Sequence, residues 1–384
     1  MRARRIVAVL DRFDPRHGGL ESWTDQWTRW LAGRGHDVHV AAFDVVPEGA
    51  GPGVVPHLLM GASTRLARAA AAESFLRRMD PDIVHDLGVG WHYDLFQLQA
   101  GSRLANDDRD RAGLGRLARL ATTVSPRQIR RRREFRALEK RQFEAGRGIV
   151  IAVSRMVEED LRRRYGLGPE RIRLVYNGVD LQRLAGVDAG AYRKDLRRSL
   201  GLREEILFLF VAHNFRLKGL GPGLEALALS NRGGRPCHLA VVGRGPADEY
   251  RVKARRLGVL DRVSFHGDVS DVRRYFHGAD ALLHPTFHDA CSLATGEAWA
   301  CGLPVITTRF NGAAELMTSG IEGWVVDDPR NVGELARRMR SLSEPGTREE
   351  MSKAARKLGL RLGQEENFAR IEALFDEAHG LRRS

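Results

Sequence analysis

Two carboxylates, Asp289 and Glu297, stand eight residues apart around a segment that favours an anion. Asp289 follows the short apolar run 280–284, whose length suits a strand. Ser292 is a typical N-cap for a helix that extends to Cys301 and holds Glu297 in its second turn. Amides at a helix start have unpaired N–H groups and lie at the positive end of the helix dipole, so they favour negative charge. The residues concerned are Ala290, Cys291, Ser292 and Leu293.

A carboxylate on each side of an anion site suits a ligand that carries hydroxyls as well as phosphate. Glu297 can accept hydrogen bonds from both hydroxyls of a ribose, and Asp289 can accept them from a sugar. A nucleotide sugar presents a ribose diol, a diphosphate and a hexose in that order. The spacing alone also fits a plain loop aspartate and a solvated helix glutamate, and both interpretations stay open at this point.

Two cations follow the most apolar run of the chain, residues 206–212 (ILFLFVA). This run predicts a strand covered on both faces, and Arg216 and Lys218 come just after its carboxyl end, where α/β sheets bind ligands. Arg216 offers a planar fork and Lys218 a compact charge, a pair that suits a diphosphate. Taken without the rest of the chain, the two residues also fit ordinary surface cations.

Runs of strand length alternate with helical segments along the chain, which predicts an α/β fold with doubly wound parallel sheets. With 384 residues the chain exceeds one ordinary core, so we expect two domains. His17-Gly18-Gly19 precedes an amphipathic helix in the first half and allows a ligand to approach the backbone. A glycine pair also fits a plain turn.

The chain is strongly basic: 62 Lys and Arg against 49 Asp and Glu give a formal charge of +13. Much of the excess lies in residues 109–147, which include four successive arginines at 130–133. This stretch predicts peripheral contact with an anionic membrane or with acceptor phosphates. A solvated helical face is the plain alternative. Nucleic acid is not expected as a partner, because the stretch lacks an aromatic ladder or a recognisable binding motif.

The three cysteines, Cys237, Cys291 and Cys301, form no C-x-x-C pair and no even framework, which favours a reducing cytoplasm. No apolar stretch approaches the roughly 20 residues that cross a bilayer. We therefore expect a cytoplasmic protein that lies peripherally on the inner face of the cell membrane.

The segment 297–306 (EAWACGLPVI) resembles the donor-site signature of family 4 retaining glycosyltransferases of GT-B fold. That signature is a glutamate, seven residues and a second glutamate, followed by a run of the type A-x-A-C-G-x-P-V-I. The chain departs at the first acid, where Asp289 replaces the usual glutamate. The closest likeness is to the lipopolysaccharide core glucosyltransferase branch, whose members also lack a histidine in the segment that matches 95–102 here.

The resemblance implies two Rossmann-like domains that face each other across a cleft, with a C-terminal helix that crosses back to the first domain. The expected bounds are 1–180 for the acceptor-side domain, 181–362 for the donor-binding domain and 363–384 for the returning helix. An interdomain linker is expected at about 181–201.

The resemblance also assigns roles to residues of this sequence. It implies that Arg216, Lys218 and Asp289 serve catalysis, and that these three bind the donor together with the helix-start residues 290–293 and Glu297. Further donor contacts are expected at Gly18, Gly19, Gly243 and, for the base, Val269. Gly101 and Ser102 are candidates for the acceptor loop.

The activity implied is transfer of a hexose, glucose first, from a UDP-sugar to a glycan or glycolipid such as a lipopolysaccharide core, with retention at the anomeric carbon. No cofactor and no metal are expected, because the two cations and the helix start supply positive charge and no D-x-D cluster follows a strand. The donor phosphate itself is implied as acceptor of the proton. A GT-B sugar-nucleotide epimerase and a non-catalytic basic protein that binds lipid or nucleic acid remain alternatives, and glycogen or sucrose-type synthases share the chemistry.

Overall fold

The alternation of short apolar strands and helices produces two separate parallel sheets. The structure is a computed structural model that describes residues 2–14, 19–46, 50–61, 63–144, 148–233 and 235–383. Its contacts divide the chain into two units. Unit 1 holds residues 1–107, 116–176 and 365–384, and unit 2 holds residues 108–115 and 177–364.

Unit 1 is built on a seven-stranded sheet in the order β3-β2-β1-β4-β5-β6-β7, in which every neighbouring pair is parallel. Its strands are β1 (Arg5–Phe13), β2 (Asp37–Val45), β3 (Val54–Leu58), β4 (Ile83–Asp86), β5 (Leu95–Gln97), β6 (Ile149–Ala152) and β7 (Ile172–Leu174). The connecting helices are α1 (Gly19–Gly33), α2 (Arg65–Met79), α3 (Arg103–Ala112), α4 (Arg116–Val124), α5 (Pro126–Glu144) and α6 (Arg155–Tyr165).

Unit 2 is built on a six-stranded parallel sheet in the order β10-β9-β8-β11-β12-β13. Its strands are β8 (Ile206–Val211), β9 (Cys237–Val242), β10 (Val263–Gly267), β11 (Ala281–His284), β12 (Val305–Thr308) and β13 (Gly323–Val326). Its helices are α7 (Leu181–Ala185), α8 (Ala189–Ser199), α9 (Leu220–Ser230), α10 (Ala247–Arg256), α11 (Arg273–Gly278), α12 (Leu293–Ala300), α13 (Val332–Ser343) and α14 (Pro345–Gly359). The central strand β8 is buried along nearly its whole length, as its apolar sequence predicts.

The chain ends with two helices, α15 (Gln364–Glu372) and α16 (Leu374–Arg383), that pack on unit 1. Phe368 and Phe375 join its core and contact the rings of Trp23 and Trp27 from α1. The two parallel-sheet units and the return of the last helices confirm the predicted fold class.

The segment predicted as a linker, 181–201, is helical instead. Asp180 and Asp188 each accept a hydrogen bond from a backbone N–H three residues on, at 2.9 Å in both cases, and thereby cap α7 and α8. In the described part of the chain, no helix is both long and apolar enough to cross a membrane.

Candidate functional site

The loop after β8 brings Lys218 to the carboxyl edge of the second sheet. The backbone N–H of Lys218 donates to the carbonyl of Asn214 at 3.0 Å and closes a turn before α9. Gly219 follows with a φ of +81°, and a Cβ there would lie only 1.9 Å from the carbonyl oxygen of Pro285. Glycine alone allows this approach. The loop after β8 therefore lies directly against the loop after β11, which carries Asp289.

Asp289 binds Lys218 and His284 at this edge. Lys218 Nζ lies 2.8 Å from Asp289 Oδ2 and 3.0 Å from the carbonyl oxygen of His288. His284 Nε2 lies 2.9 Å from the same carboxylate oxygen. Burial raises the pKa of Asp289, but the charge of Lys218 and the hydrogen bond from His284 outweigh burial and hold the pKa below its usual range. Asp289 is thus ionised and can only accept hydrogen bonds.

His284 acts as a neutral donor to that carboxylate. Burial lowers the pKa of His284, in spite of the neighbouring Asp289 that raises it. The proton of the neutral ring therefore sits on Nε2, which faces Asp289. Within the described residues, Nδ1 of His284 is buried without a hydrogen-bond partner. The histidine fixes the orientation of Asp289, a role that the sequence analysis missed because a strand-end histidine has no distinctive local signal.

Arg216, the second predicted cation, binds a carboxylate from a distant part of the sequence. Its guanidinium contacts both carboxylate oxygens of Asp110, through Nη2 and through Nε at 3.2 Å. Asp110 belongs to the short segment 108–115 that is part of unit 2. The fork of Arg216 thus binds a carboxylate of the protein in a bidentate manner, and its predicted contact with a diphosphate stays a prediction.

The start of α12 lies where the sequence predicts it, at the segment for which anion binding stays a prediction. Ser292 is the N-cap, and its hydroxyl accepts a hydrogen bond from the N–H of Thr295 at 3.2 Å. In the described part of the chain, the backbone N–H groups of Ala290, Cys291 and Leu293 donate to no protein acceptor. These three amides are available to a ligand.

Two buried asparagines hold this loop in place. Asn311 Oδ1 accepts from the N–H of Ser292 at 3.3 Å, and its amide nitrogen donates to the hydroxyls of Thr295 and Thr307. Asn177 donates to the carbonyl oxygen of Cys291 at 3.0 Å. The N–H of Ser292 is consequently engaged by Asn311, unlike its neighbours. The positioning role of both asparagines depends on contacts across the fold, which the sequence alone does not show.

Glu297 pairs with an arginine that the sequence analysis did not identify. Arg183 from α7 lies with Nη2 2.5 Å from Glu297 Oε1. Burial raises the pKa of Glu297, and the charge of Arg183 opposes that rise. The two residues lie 114 positions apart, so no local sequence pattern links them. Among the described residues, no contact joins Glu297 to Arg216 or Lys218.

Two further predicted donor residues lie after neighbouring strands of the same sheet. Gly243 follows β9 with a φ of +120°, and a Cβ there would meet the carbonyl oxygen of Ala212 at 1.9 Å. Its N–H donates to the carbonyl of Gly267 at the end of β10. Val269 is half-buried in the loop that follows β10. Both residues therefore lie at the carboxyl edge, and their contacts with a donor stay predictions.

The candidates in unit 1 have structural roles of their own. Gly101 has a φ of +75°, and the hydroxyl of Ser102 accepts from the N–H of Ala105 at 3.1 Å at the start of α3. Ser102 also donates to Asp160 at 3.0 Å. Gly19 is the exposed first residue of α1, while Gly18 lies outside the described residues. The roles predicted for these four residues toward a ligand remain predictions.

The carboxylate of Asp86 holds a loop of unit 1 in place, and the sequence analysis did not identify it. Asp86, at the end of β4, accepts hydrogen bonds from the N–H groups of Gly88, Val89 and Gly90 at 2.7 to 2.8 Å. Burial raises the pKa of Asp86 to about 6. The aspartate followed by a glycine-containing turn is the sequence signal that identifies such a loop.

Two family profiles match the chain. The profile described as "Glycosyltransferase Family 4" matches residues 17–183, and the one described as "Glycosyl transferases group 1" matches residues 193–358. Among curated proteins, the "Lipopolysaccharide glucosyltransferase WaaG" of Escherichia coli K12 is 30% identical over 203 residues, which are 52% of this chain and 54% of that protein. The "D-inositol 3-phosphate glycosyltransferase" of Xylanimonas cellulosilytica is 29% identical over 261 residues, covering 63% of this chain and 60% of that protein. The chain thus spans little more than half the length of these relatives.

Solved structures share the fold over nearly the whole chain. The crystal structure of WaaG, "a glycosyltransferase involved in lipopolysaccharide biosynthesis", has a TM-score of 0.81 at 23% identity and covers 96% of this chain and 99% of its own. The structure of Anabaena HepE "in complex with UDP-glucose" has a TM-score of 0.72 at 15% identity, with 97% of this chain and 100% of its own covered. The fold is therefore that of GT-B proteins. Because the two profiles together cover most of the sequence, the chain belongs to the group 1 and family 4 glycosyltransferases.

Proposed function

We propose that the protein transfers a hexose, glucose foremost, from a UDP-sugar to a hydroxyl of a glycan or glycolipid, with retention of the anomeric configuration. The observation that carries this proposal is the contact of Lys218 with Asp289 beside the available amides of Ala290 and Cys291. A fixed cation, a sugar-binding carboxylate and a helix start then lie at one sheet edge. Similarity to a lipopolysaccharide glucosyltransferase and to a protein bound to UDP-glucose supports the choice of donor and acceptor class.

In the proposed reaction, the bond between C1 of the sugar and the diphosphate oxygen breaks, and C1 forms a bond to the acceptor oxygen. The proton of the acceptor hydroxyl passes to a phosphate oxygen of the leaving UDP. Negative charge grows on the diphosphate, where Arg216, Lys218 and the amides of α12 stabilise it. Asp289 accepts hydrogen bonds from hydroxyls of the hexose, and Glu297 accepts them from the ribose.

Two ion pairs engage the cations that a diphosphate would have to bind. Arg216 is held by Asp110 and Lys218 by Asp289, so a diphosphate exchanges one anionic partner for another. The carboxylate of Asp289 keeps its contact with His284 after this exchange and gains hydroxyls of the hexose as donors. The pairs also hold both cationic side chains in defined positions before the donor arrives.

Incubation of the purified protein with UDP-glucose tests the proposal. We expect release of UDP that is strongly stimulated by an acceptor, either a lipopolysaccharide core oligosaccharide or D-inositol 3-phosphate, the substrates that the names of the relatives contain. NMR of the product should show the anomeric configuration of the donor retained. The reaction should continue in EDTA, because the protein's own cations supply the charge that a metal would supply. Conversion of UDP-glucose to another sugar nucleotide without acceptor would instead support the epimerase alternative, and no turnover of any UDP-sugar would refute both.

We also propose that the basic stretch 109–147 docks on an anionic membrane, through α4 and the first turns of α5. Leu120 and Val124 on α4 are 64% and 66% exposed, and Ile129 on α5 is exposed as well. Exposed arginines at 119, 127, 130, 131 and 133 lie close to these apolar residues in the sequence. Apolar residues interleaved with cations suit the interface of an anionic bilayer, where each cation contributes on the order of 1 kcal/mol. Residues 145–147 of the stretch lie outside the described residues.

Co-sedimentation with vesicles tests this second proposal. We expect binding to vesicles with about one third phosphatidylglycerol and much weaker binding to pure phosphatidylcholine, with a decrease at high salt. The double substitution Leu120→Ser and Val124→Ser should weaken binding about tenfold or more, since it removes two exposed apolar side chains. Ile321→Ser, which removes an apolar residue of unit 2 that is 51% exposed, is the control. Equal binding of all three proteins would refute a docking role for α4.

A further inference from the structure

Unit 2 contains a cavity of about 420 Å³ whose wall includes Arg216 and no other predicted donor residue. The helix-start segments of α9, α10 and α13 surround it: Gly221 and Pro222 from α9, Glu249 and Tyr250 from α10, and Val332 from α13. All three helices follow strands of the second sheet, so the cavity lies at the same carboxyl edge as Lys218 and Asp289. Its volume falls in the range of about 300–1,000 Å³ that small-molecule sites occupy.

The cavity presents acceptors and donors side by side. Lys253 Nζ lies 2.5 Å from Glu225 Oε1, and both residues line the wall. Gly221 leaves room for this ammonium group, since a Cβ there would lie 3.2 Å from it. Within the described part of the chain, the carboxylate of Glu249 and the hydroxyl of Tyr250 have no protein hydrogen-bond partner. The cavity thus offers two carboxylates, an ammonium group and a phenol to a ligand.

The charge balance argues against a simple phosphate site. Two of the three cations on the wall have carboxylate partners that the proposed diphosphate does not displace: Lys253 has Glu225, and Arg330 has Asp328 at 3.3 Å. The carboxylate of Glu249 would repel an anion that entered the cavity. A neutral ligand with many hydroxyls meets no such opposition, because each hydroxyl can donate to a carboxylate and accept from a cation.

The apolar part of the wall completes the match to a sugar ring. Phe287 and Pro222 line the cavity and offer surface to the C–H face of a pyranose. Phe287 is itself held under the guanidinium of Arg330, whose centre lies 4.9 Å from the ring centroid. Polar groups fixed by ion pairs and rigid apolar surface are the features that orient a ligand in a pocket.

We propose that this cavity binds a sugar residue of the acceptor glycan. The inference rests on the proposed function and deepens it, since Arg216 belongs both to the predicted diphosphate site and to the cavity wall. A sugar in the cavity lies next to the leaving diphosphate. Glu249, Tyr250 and the Glu225–Lys253 pair are then residues that determine acceptor specificity from within unit 2.

The test compares two neighbouring carboxylates of α10. Glu249→Gln removes a carboxylate from the cavity, whereas Asp248→Asn removes the same charge from the same helix turn outside it. Asp248 is fully exposed and pairs only with Arg251 in the described part of the chain. Binding of methyl glucoside, methyl galactoside and methyl heptoside to the intact protein is measured by saturation-transfer NMR without any donor. We expect at least one of the three to bind, with affinity about tenfold weaker in Glu249→Gln and unaltered in Asp248→Asn.

Two further measurements make the outcome decisive. Tyr250→Phe keeps the ring contact with Phe215, 5.7 Å between centroids, but loses the hydroxyl, and should raise the KM for the acceptor severalfold. With UDP present to occupy the proposed diphosphate site at Arg216, inorganic phosphate should not compete with the sugar. Absence of binding by all three sugars, equal weakening in both α10 variants, or competition by phosphate would overturn the inference. If UDP-glucose is not turned over while Glu249→Gln still weakens sugar binding, the proposed transfer reaction is refuted and the sugar site stands. If UDP-glucose is turned over while Glu249→Gln leaves sugar binding unaltered, only the sugar site is refuted.

Discussion

Replacement of Lys218 by methionine is expected to lower the rate of sugar transfer about 100-fold or more, because a fixed positive charge aimed at a leaving diphosphate is worth on that order. Lys218 Nζ lies 2.8 Å from Asp289 and is held in addition by the carbonyl of His288. Methionine keeps most of the apolar stem and removes the charge. Charge on the diphosphate grows mainly in the transition state, so the loss should appear in kcat more than in KM for UDP-glucose.

The folding of the Lys218→Met variant must be verified, because among the described residues Asp289 then keeps only His284 as a side-chain partner. Lys218→Arg keeps a cation in contact with Asp289 and should recover part of the activity, although a guanidinium places its charge differently. Lys194→Met, on the exposed surface of α8, removes a lysine charge far from the carboxyl edge and should leave the rate within twofold. A folded Lys218→Met protein with activity within a few fold of the parent would remove Lys218 from the mechanism.

Local features of the chain could be predicted because local physics produces them. The apolar run at β8 and the serine that caps α12 are determined by residues adjacent in sequence. Gly219 and Gly243 follow strands at positions where a side chain would collide with a neighbouring loop, and the sequence shows both glycines. The helix from Ser292 and the strand before it consequently agree with the prediction to within a residue or two.

The ion pairs of the candidate site could not be predicted in the same way. Arg216 meets Asp110 across 106 positions, and Glu297 meets Arg183 across 114. Such partners are chosen by the packing of whole elements, and a basic chain offers many arginines of equal local appearance. Arg183 was also difficult to identify because the sequence of its segment resembles a linker. In the structure Asp180 caps this segment, which forms a short helix. The sequence therefore indicated Asp289, Glu297 and the two cations as candidates, but it did not indicate the partners Arg183 and Asp110.

Replacement of Asp289 by asparagine is expected to destabilise unit 2 by about 3 kcal/mol at pH 7, because removal of one partner leaves a largely buried charge uncompensated. The side chains of Asp289 and Lys218 are only 15% and 21% exposed. The pKa of Asp289 is lowered in the folded protein, so its stabilisation is complete above the unfolded pKa of an aspartate, about 3.9, and is lost as pH falls toward the folded value. The difference between the two proteins should consequently shrink below about pH 4.

Native-state hydrogen exchange of the β11 amides measures this free energy within unit 2, without requiring the whole chain to unfold in one step. Asp268→Asn is the matched control, since Asp268 forms an ion pair with Arg244 at 3.1 Å in which both side chains are about half exposed. Exposed pairs contribute roughly 0–1 kcal/mol, so this control should change little at either pH. The double variant Lys218→Met and Asp289→Asn should lose less stability than the sum of the single variants, because no unpaired charge remains. Additive losses, or a cost of Asp289→Asn that does not fall with pH, would show that Asp289 stabilises the loop through its hydrogen bonds and not through its charge.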